Sequence, residues 1–176
     1  MNSFFPLIYS ITLFFILFII SFYLIKQIVN TQKVEKKIID LQDSIKTDKA
    51  SYEIFYKLGQ LYLKKKLFYK AILLFRRALK TWNTNDKIAL GSLYNTIGFT
   101  YFELKQYDLA IYYYKIAIKI IPDYTLALTN LAYAYEKMNL YSEAYDCYKT
   151  TLVWNPKNEL ASSRILTVKR KVAYLA

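Results

Sequence analysis

The residues that could carry chemistry in this chain are few and far apart. Histidine is absent, which removes imidazole bases, imidazole metal ligands and every histidine-centred triad. Cys147 is the single cysteine, so neither an internal disulfide nor a cysteine-based zinc site can form. It sits in an amphipathic segment and reads as a small packed side chain rather than a nucleophile. Acid–base work by paired carboxylates needs two of them facing one site. Asp108, Asp123, Glu136, Glu143 and Asp146 are instead scattered and read as surface positions. No glycine-rich run is present to cradle a phosphate. The chain is read as no enzyme, with no catalytic residue, no metal and no cofactor.

Lys+Arg number 25 against 13 acids, a net charge of +12. Of those basic residues 21 are Lys and only four are Arg (Arg76, Arg77, Arg164, Arg170). Base and phosphate recognition favours Arg, whose fork makes bidentate contacts. A Lys-, Ile-, Tyr-, Phe- and Asn-rich composition is also what an AT-rich genome produces, as many organelle genomes are. Nucleic-acid tethering is the rival reading from another class, recognisable by steep salt dependence. The Lys bias counts against it, and no nucleic-acid partner is expected. Attraction to an anionic membrane or an acidic partner stays open.

These residues must be positioned by helices. Of 176 residues 55% are hydrophobic, enough apolar surface for a core. Only three Gly and three Pro occur, too little turn chemistry for a sandwich or barrel. The class expected is all-α.

Residues 1–25 carry no charged side chain, and 14 of the 19 residues from Leu7 to Ile25 are Leu, Ile or Phe. As a helix this stretch is about 28 Å long, against a hydrocarbon core of about 30 Å. Ser10, Thr12 and Ser21 can bond back to their own helix, Tyr9 and Tyr23 suit the interfaces, and Pro6 suits a helix start. A cleaved signal peptide would need a basic leader, a shorter apolar run and a small-residue site, none of which is found. A lipoprotein is excluded because the only Cys is Cys147. The segment is read as an uncleaved transmembrane anchor. Lys26, Lys33, Lys36 and Lys37 follow it, against Glu35. The positive-inside rule then puts the remainder on the cytosol-like side, the stroma if the membrane is a plastid's.

Residues 26–51 form a charged juxtamembrane stalk. Val34, Ile38, Leu41 and Ile45 make one helical stripe, a face for packing on the next domain or for weak self-association.

Beyond it the chain repeats itself every 34 residues or so. Segments starting at Phe55, Tyr94 and Leu128 align position by position. Leu58, Ile97 and Leu131 are large and apolar, and Gly59, Gly98 and Ala132 after them are small. Tyr62, Tyr101 and Tyr135 come three residues on, and Phe68, Tyr107 and Tyr141 open a second helix. Ala71, Ala110 and Ala144 are small, Phe75, Tyr114 and Tyr148 aromatic, then come Ala78, Ala117 and Thr151. Asn83, Pro122 and Pro156 close the units. Small residues are needed where two helices cross, aromatics are expected to fill the groove between units, and Pro ends a helix because it lacks the N–H. Four of the six Gly and Pro fall on these positions.

This pattern resembles the tetratricopeptide repeat, a helix–turn–helix unit stacked into a solenoid. Units are set at 52–85, 91–124 and 125–158. The five extra residues, 86–90, are expected to lengthen the next helix by more than a turn, with Gly91 inside it. Residues 159–176 carry Leu160, Ile165, Leu166, Val168 and Val172 and read as a capping helix over the last unit.

The resemblance implies a binding module without built-in chemistry. Family geometry lines the inner face with the first helix of each unit, which selects Tyr56, Gln60, Asn95, Phe99, Phe102, Tyr133 and Glu136 as the partner-binding set. For Phe99 and Phe102 a core role is the equal alternative. An aromatic, amide-rich surface suits an extended peptide or a helix better than a phosphate. The family's clamp for acidic chaperone tails wants Lys, Asn, Lys and Arg where this chain has Tyr56, Gln60, Leu126 and Asn130, so that use is not expected. The whole plan resembles the small membrane-anchored tetratricopeptide proteins of algal plastids and cyanobacteria that assist photosystem I assembly. A sister plastid factor with the same repeats lacks the span. The resemblance implies a single-pass thylakoid protein facing the stroma, with photosystem I subunits or assembly intermediates as partners. An import receptor or a bacterial inner-membrane scaffold is the alternative.

Overall fold

The computed structural model describes residues 4–46 and 51–175. Residues 1–3 of the expected anchor, 47–50 of the stalk and 176 of the cap lie outside the described residues. Among the described residues the chain is all-helical, without a strand, and divides into two compact units, 1–48 and 49–176.

The first unit is one helix, α1 (Phe4–Lys46), of 43 residues, about 64 Å long at 1.5 Å per residue. The apolar run and the charged stalk are therefore one uninterrupted rod. Ser10 and Thr12 donate their hydroxyls to Leu7 O and Tyr9 O, both at 2.9 Å, so neither presents an unbonded donor. Every Leu, Ile and Phe from Leu7 to Ile25 is exposed, from 42% at Leu13 to 66% at Phe14. Water makes such a surface costly, at about 25 cal/mol per Å². The helix is long and apolar enough to cross a membrane, its apolar part having a mean hydropathy of 2.5.

The second unit is a run of antiparallel pairs: α2 (Tyr52–Lys64) with α3 (Phe68–Lys80), α4 (Lys87–Glu103) with α5 (Tyr107–Ile120), α6 (Thr125–Lys137) with α7 (Tyr141–Trp154), then α8 (Glu159–Leu175) on α7. Each pair also packs on the next, which makes a solenoid with three two-helix units. Phe75, Tyr114 and Tyr148, one per unit, are fully buried. A Cβ added to Gly59 would lie 2.5 Å from the Phe75 ring, and one added to Gly98 would lie 2.7 Å from the Tyr114 ring. The expectation that these aromatics fill the groove between units is thus amended. Phe75 and Tyr114 lie against the glycine of their own unit, because that gap lets the ring sit at the helix crossing.

The turn inside each unit is the same Schellman motif. Lys66, Lys105 and Asn139 take φ of 59°, 60° and 61°. The following N–H groups of Leu67, Gln106 and Leu140 donate to Tyr62 O, Tyr101 O and Tyr135 O at 2.8, 3.0 and 2.9 Å.

α4 has 17 residues against 13 in α2 and α6. The helix is thus longer by four residues, just over a turn as expected, and Asp86 serves as its N-cap, accepting from the Ala89 N–H at 3.0 Å. Gly91 is buried and a Cβ there would collide with Ile121; close packing is its reason.

α8 covers the last unit with a stripe different from the one expected. Ala161 and Val168 are fully buried, and Ile165 and Val172 pack beside them. Leu160 and Leu166 are 44% and 63% exposed. The buried stripe is spaced 4, 3 and 4, and its first position is the small Ala161, which allows a closer approach than leucine.

Candidate partner-binding face

The first helices of the units, α2, α4 and α6, line a groove of about 470 Å³. Its walls are Gln60, Leu63 and Lys64 from α2, Asn95, Thr96 and Phe99 from α4, and Leu126 and Asn130 from α6. Three of the sequence-selected residues, Gln60, Asn95 and Phe99, come together here. Phe99 is 40% exposed with Leu126 at 53%, so the groove has an apolar floor open to solvent. Asn130 donates from Nδ2 to Asn95 Oδ1 at 3.0 Å, which ties the second unit to the third at the groove wall. Tyr56 is half-buried beside this wall; its hydroxyl is 3.5 Å from Thr96 Oγ1 and its ring 5.9 Å from that of Phe75.

Phe102, Tyr133 and Glu136 do not line the groove. The Phe102 ring lies 5.3 Å from both Tyr107 and Tyr133 and belongs to the packed cluster. The Tyr133 ring is covered by cations, with Lys137 Nζ at 5.0 Å and the Arg164 guanidinium at 5.2 Å. The reading of Glu136 as a surface carboxylate is corrected, because its side chain is only 8% exposed. Its Oε1 accepts from the Tyr148 hydroxyl at 2.6 Å, and its Oε2 from Arg164 Nη1 at 3.4 Å. Burial first, and then this bond to Glu136, pushes the Tyr148 phenol well above its usual range. The carboxylate thus joins α6, α7 and α8. Cys147 lies on α7, half-buried, and burial pushes its thiol up to about 11, which keeps it protonated and unreactive at neutral pH.

Thr96 and Asn130 were not among the selected residues. Each holds the sixth position of its unit, three residues before one of the chosen inner-face positions and therefore on the same helix face. That spacing was the available signal. The groove offers amides from Gln60, Asn95 and Asn130, a hydroxyl from Thr96, an apolar floor and one cation, Lys64. Such groups can pair with the backbone of an extended segment and bury its side chains. They include no nucleophile or general base.

Tetratricopeptide repeat models match residues 52–81, 92–124 and 126–158. Among curated proteins, the chain is 38% identical to "Uncharacterized protein ycf37" of Guillardia theta, across 94% of this chain and 93% of that one. It is 28% identical to the chloroplastic "Tetratricopeptide repeat domain-containing protein PYG7" of Arabidopsis thaliana, over 86% of this chain and half of that protein. Among solved structures, the first repeat domain of Spaghetti (RPAP3), bound to an HSP90 peptide, superposes with a TM-score of 0.63 at 20% identity. The match covers 72% of this chain and 97% of that one, and at that identity it speaks for the fold alone.

Proposed function

The chain belongs to the tetratricopeptide repeat family, and on that premise we propose that it is a membrane-anchored scaffold that assists assembly or stabilisation of photosystem I in the thylakoid. Repeats of this family bind peptide or protein partners and are typically non-enzymatic, and the groove on α2, α4 and α6 is suited to that use. The observation that carries the reading is the pairing, in one chain, of an uncovered apolar helix with a repeat array. α1 holds the array at the membrane, the lysines after Ile25 put it on the stromal side, and the groove receives an extended segment of a photosystem I subunit or assembly intermediate. Gln60 and Phe99 contact the segment directly, and Asn95, buried and bonded to Asn130, fixes the groove wall. Tyr56 supports the wall, Phe102 packs the second unit on Tyr133 of the third, and Glu136 holds the third unit to α8. Similarity to a chloroplastic repeat protein supports a plastid setting.

The test is a mild-detergent pull-down of the tagged full-length protein from its native membranes, read by mass spectrometry. Enrichment of photosystem I core subunits over photosystem II and ATP synthase is expected. Enrichment of presequence-bearing precursors or of a secretion complex would sink the reading.

A further inference from the structure

Charge is distributed unevenly over the repeats. Residues 52–85 hold eight basic side chains and a single acid, Glu53, a formal +7 of the chain's +12. Residues 91–124 and 125–158 each hold three bases and three acids and are neutral. A genome-wide bias toward Lys would load the three units alike, so composition does not explain the first one. Glu53 is itself engaged, 3.5 Å from Lys57 Nζ.

α3 gathers much of this charge on one surface. Its buried side is Ala71, Ile72, Leu74, Phe75 and Ala78. Directly opposite, Tyr69, Leu73, Arg76 and Lys80 are spaced 4, 3 and 4 and fall on a single stripe. Tyr69 is 69% and Leu73 63% exposed, and Lys70 and Arg77 flank them. Helix α3 contains no acid. Among the described residues, no carboxylate lies within ion-pair distance of Arg76 or Arg77. Two of the chain's four Arg stand side by side here, in a protein whose other basic residues are 21 Lys and two Arg.

We propose that the outward face of α3 is a second docking surface, distinct from the groove, that takes an acidic segment of a partner protein carrying an apolar side chain. The charge complementarity is with carboxylates. Guanidinium forks bind carboxylates bidentately, and Tyr69 and Leu73 lie in the same stripe as Arg76, so one acidic segment with a single apolar side chain can meet the charge and the apolar surface together. Exposed Tyr69 and Leu73 beside Arg76, on a helix without an acid, supply the aromatic and basic anchors typical of binding hot spots. With one segment in the groove and another on the back of the first unit, the array holds two chains at once.

The experiment uses the full-length protein in phosphatidylcholine nanodiscs and a fluorescein-labelled, glutamate-rich peptide with one central leucine, read by anisotropy. Arg76→Gln with Arg77→Gln is expected to weaken binding about tenfold while helicity and melting temperature hold, since both side chains are exposed. Arg76→Lys with Arg77→Lys is expected to lose most of the same affinity. A charge-matched control on α8, Lys169→Gln with Arg170→Gln, is expected to leave it within about twofold. Equal affinity in the double glutamine variant, full affinity in the lysine variant, or an equal loss in the control would each overturn the proposal. Loss of binding to phosphatidylglycerol vesicles, but not to the peptide, in the double glutamine variant would also overturn it and assign the face to lipid.

Discussion

Asn130 in α6 donates its side-chain amide to Asn95 Oδ1 in α4 at 3.0 Å, across the seam between the second and third units. Asn95 is 6% exposed, so its oxygen is desolvated and compensated by the same contact. Asn130→Ala leaves that acceptor buried without its partner and should cost about 1–2 kcal/mol. Asn95→Ala should cost a similar amount, and the double variant less than the sum. Urea unfolding of the four proteins measures the coupling, and strictly additive losses would mean that the pair does not hold the seam.

Gly98 faces the Tyr114 ring, where an added Cβ would come within 2.7 Å. Tyr114 is 1% exposed and has no room to withdraw. Gly98→Ala gains up to about 1 kcal/mol of helix propensity, but overpacking should outweigh it, for a net loss of about 1–2 kcal/mol. Gly98→Leu should unfold the second unit outright. A melting curve unchanged by Gly98→Leu would contradict the close crossing of α4 and α5.

What could be read from the residues were the contacts made within a unit. Gly59, Gly98 and Ala132 recur because a helix crossing imposes the same steric demand each time, although the seat of Phe75 and Tyr114 against their own unit's glycine was not read from the sequence. What escaped depended on chain far away or on backbone alone. Glu136 looked like a surface acid because its cover is Arg164, which reaches it only after α8 folds back. Leu160 and Leu166 looked like cap residues because hydrophobicity was weighed and closeness of approach was not; Ala161 took the buried place. The left-handed turns at Lys66 and Lys105 left no mark, because lysine does not advertise a positive φ as glycine would.

Those turns give the next prediction. Lys66 and Lys105 hold φ of 59° and 60°, a conformation that costs a residue with a Cβ about 1–2 kcal/mol. Lys105→Gly removes that strain and keeps the backbone bonds of the motif. It should therefore stabilise the protein by about 0.5–1 kcal/mol. Asn139→Gly, at φ of 61°, should gain less, because asparagine tolerates this region. Chemical denaturation of both variants decides. A loss in Lys105→Gly would mean that the lysine side chain stabilises the turn by more than its backbone strains it.

Stability should also fall on the alkaline side. Burial is the main reason that the Cys147 thiol is pushed up from 9.0 to about 11, with Asp146 adding to it, and the Tyr148 phenol is moved in the same direction. In each case the folded chain keeps a proton that the unfolded chain releases, so the unfolded state gains as pH rises. The contribution of Cys147 is full below its unfolded value near 9 and is lost as pH climbs through about 11. Melting temperature should decline across that window, and Cys147→Ala should flatten part of the decline. The same protonation makes the thiol slow toward disulfide reagents in mildly alkaline buffer until denaturant is added. Fast labelling of the folded protein, or an alkaline slope that Cys147→Ala leaves untouched, would show that the half-buried thiol is not held protonated on α7.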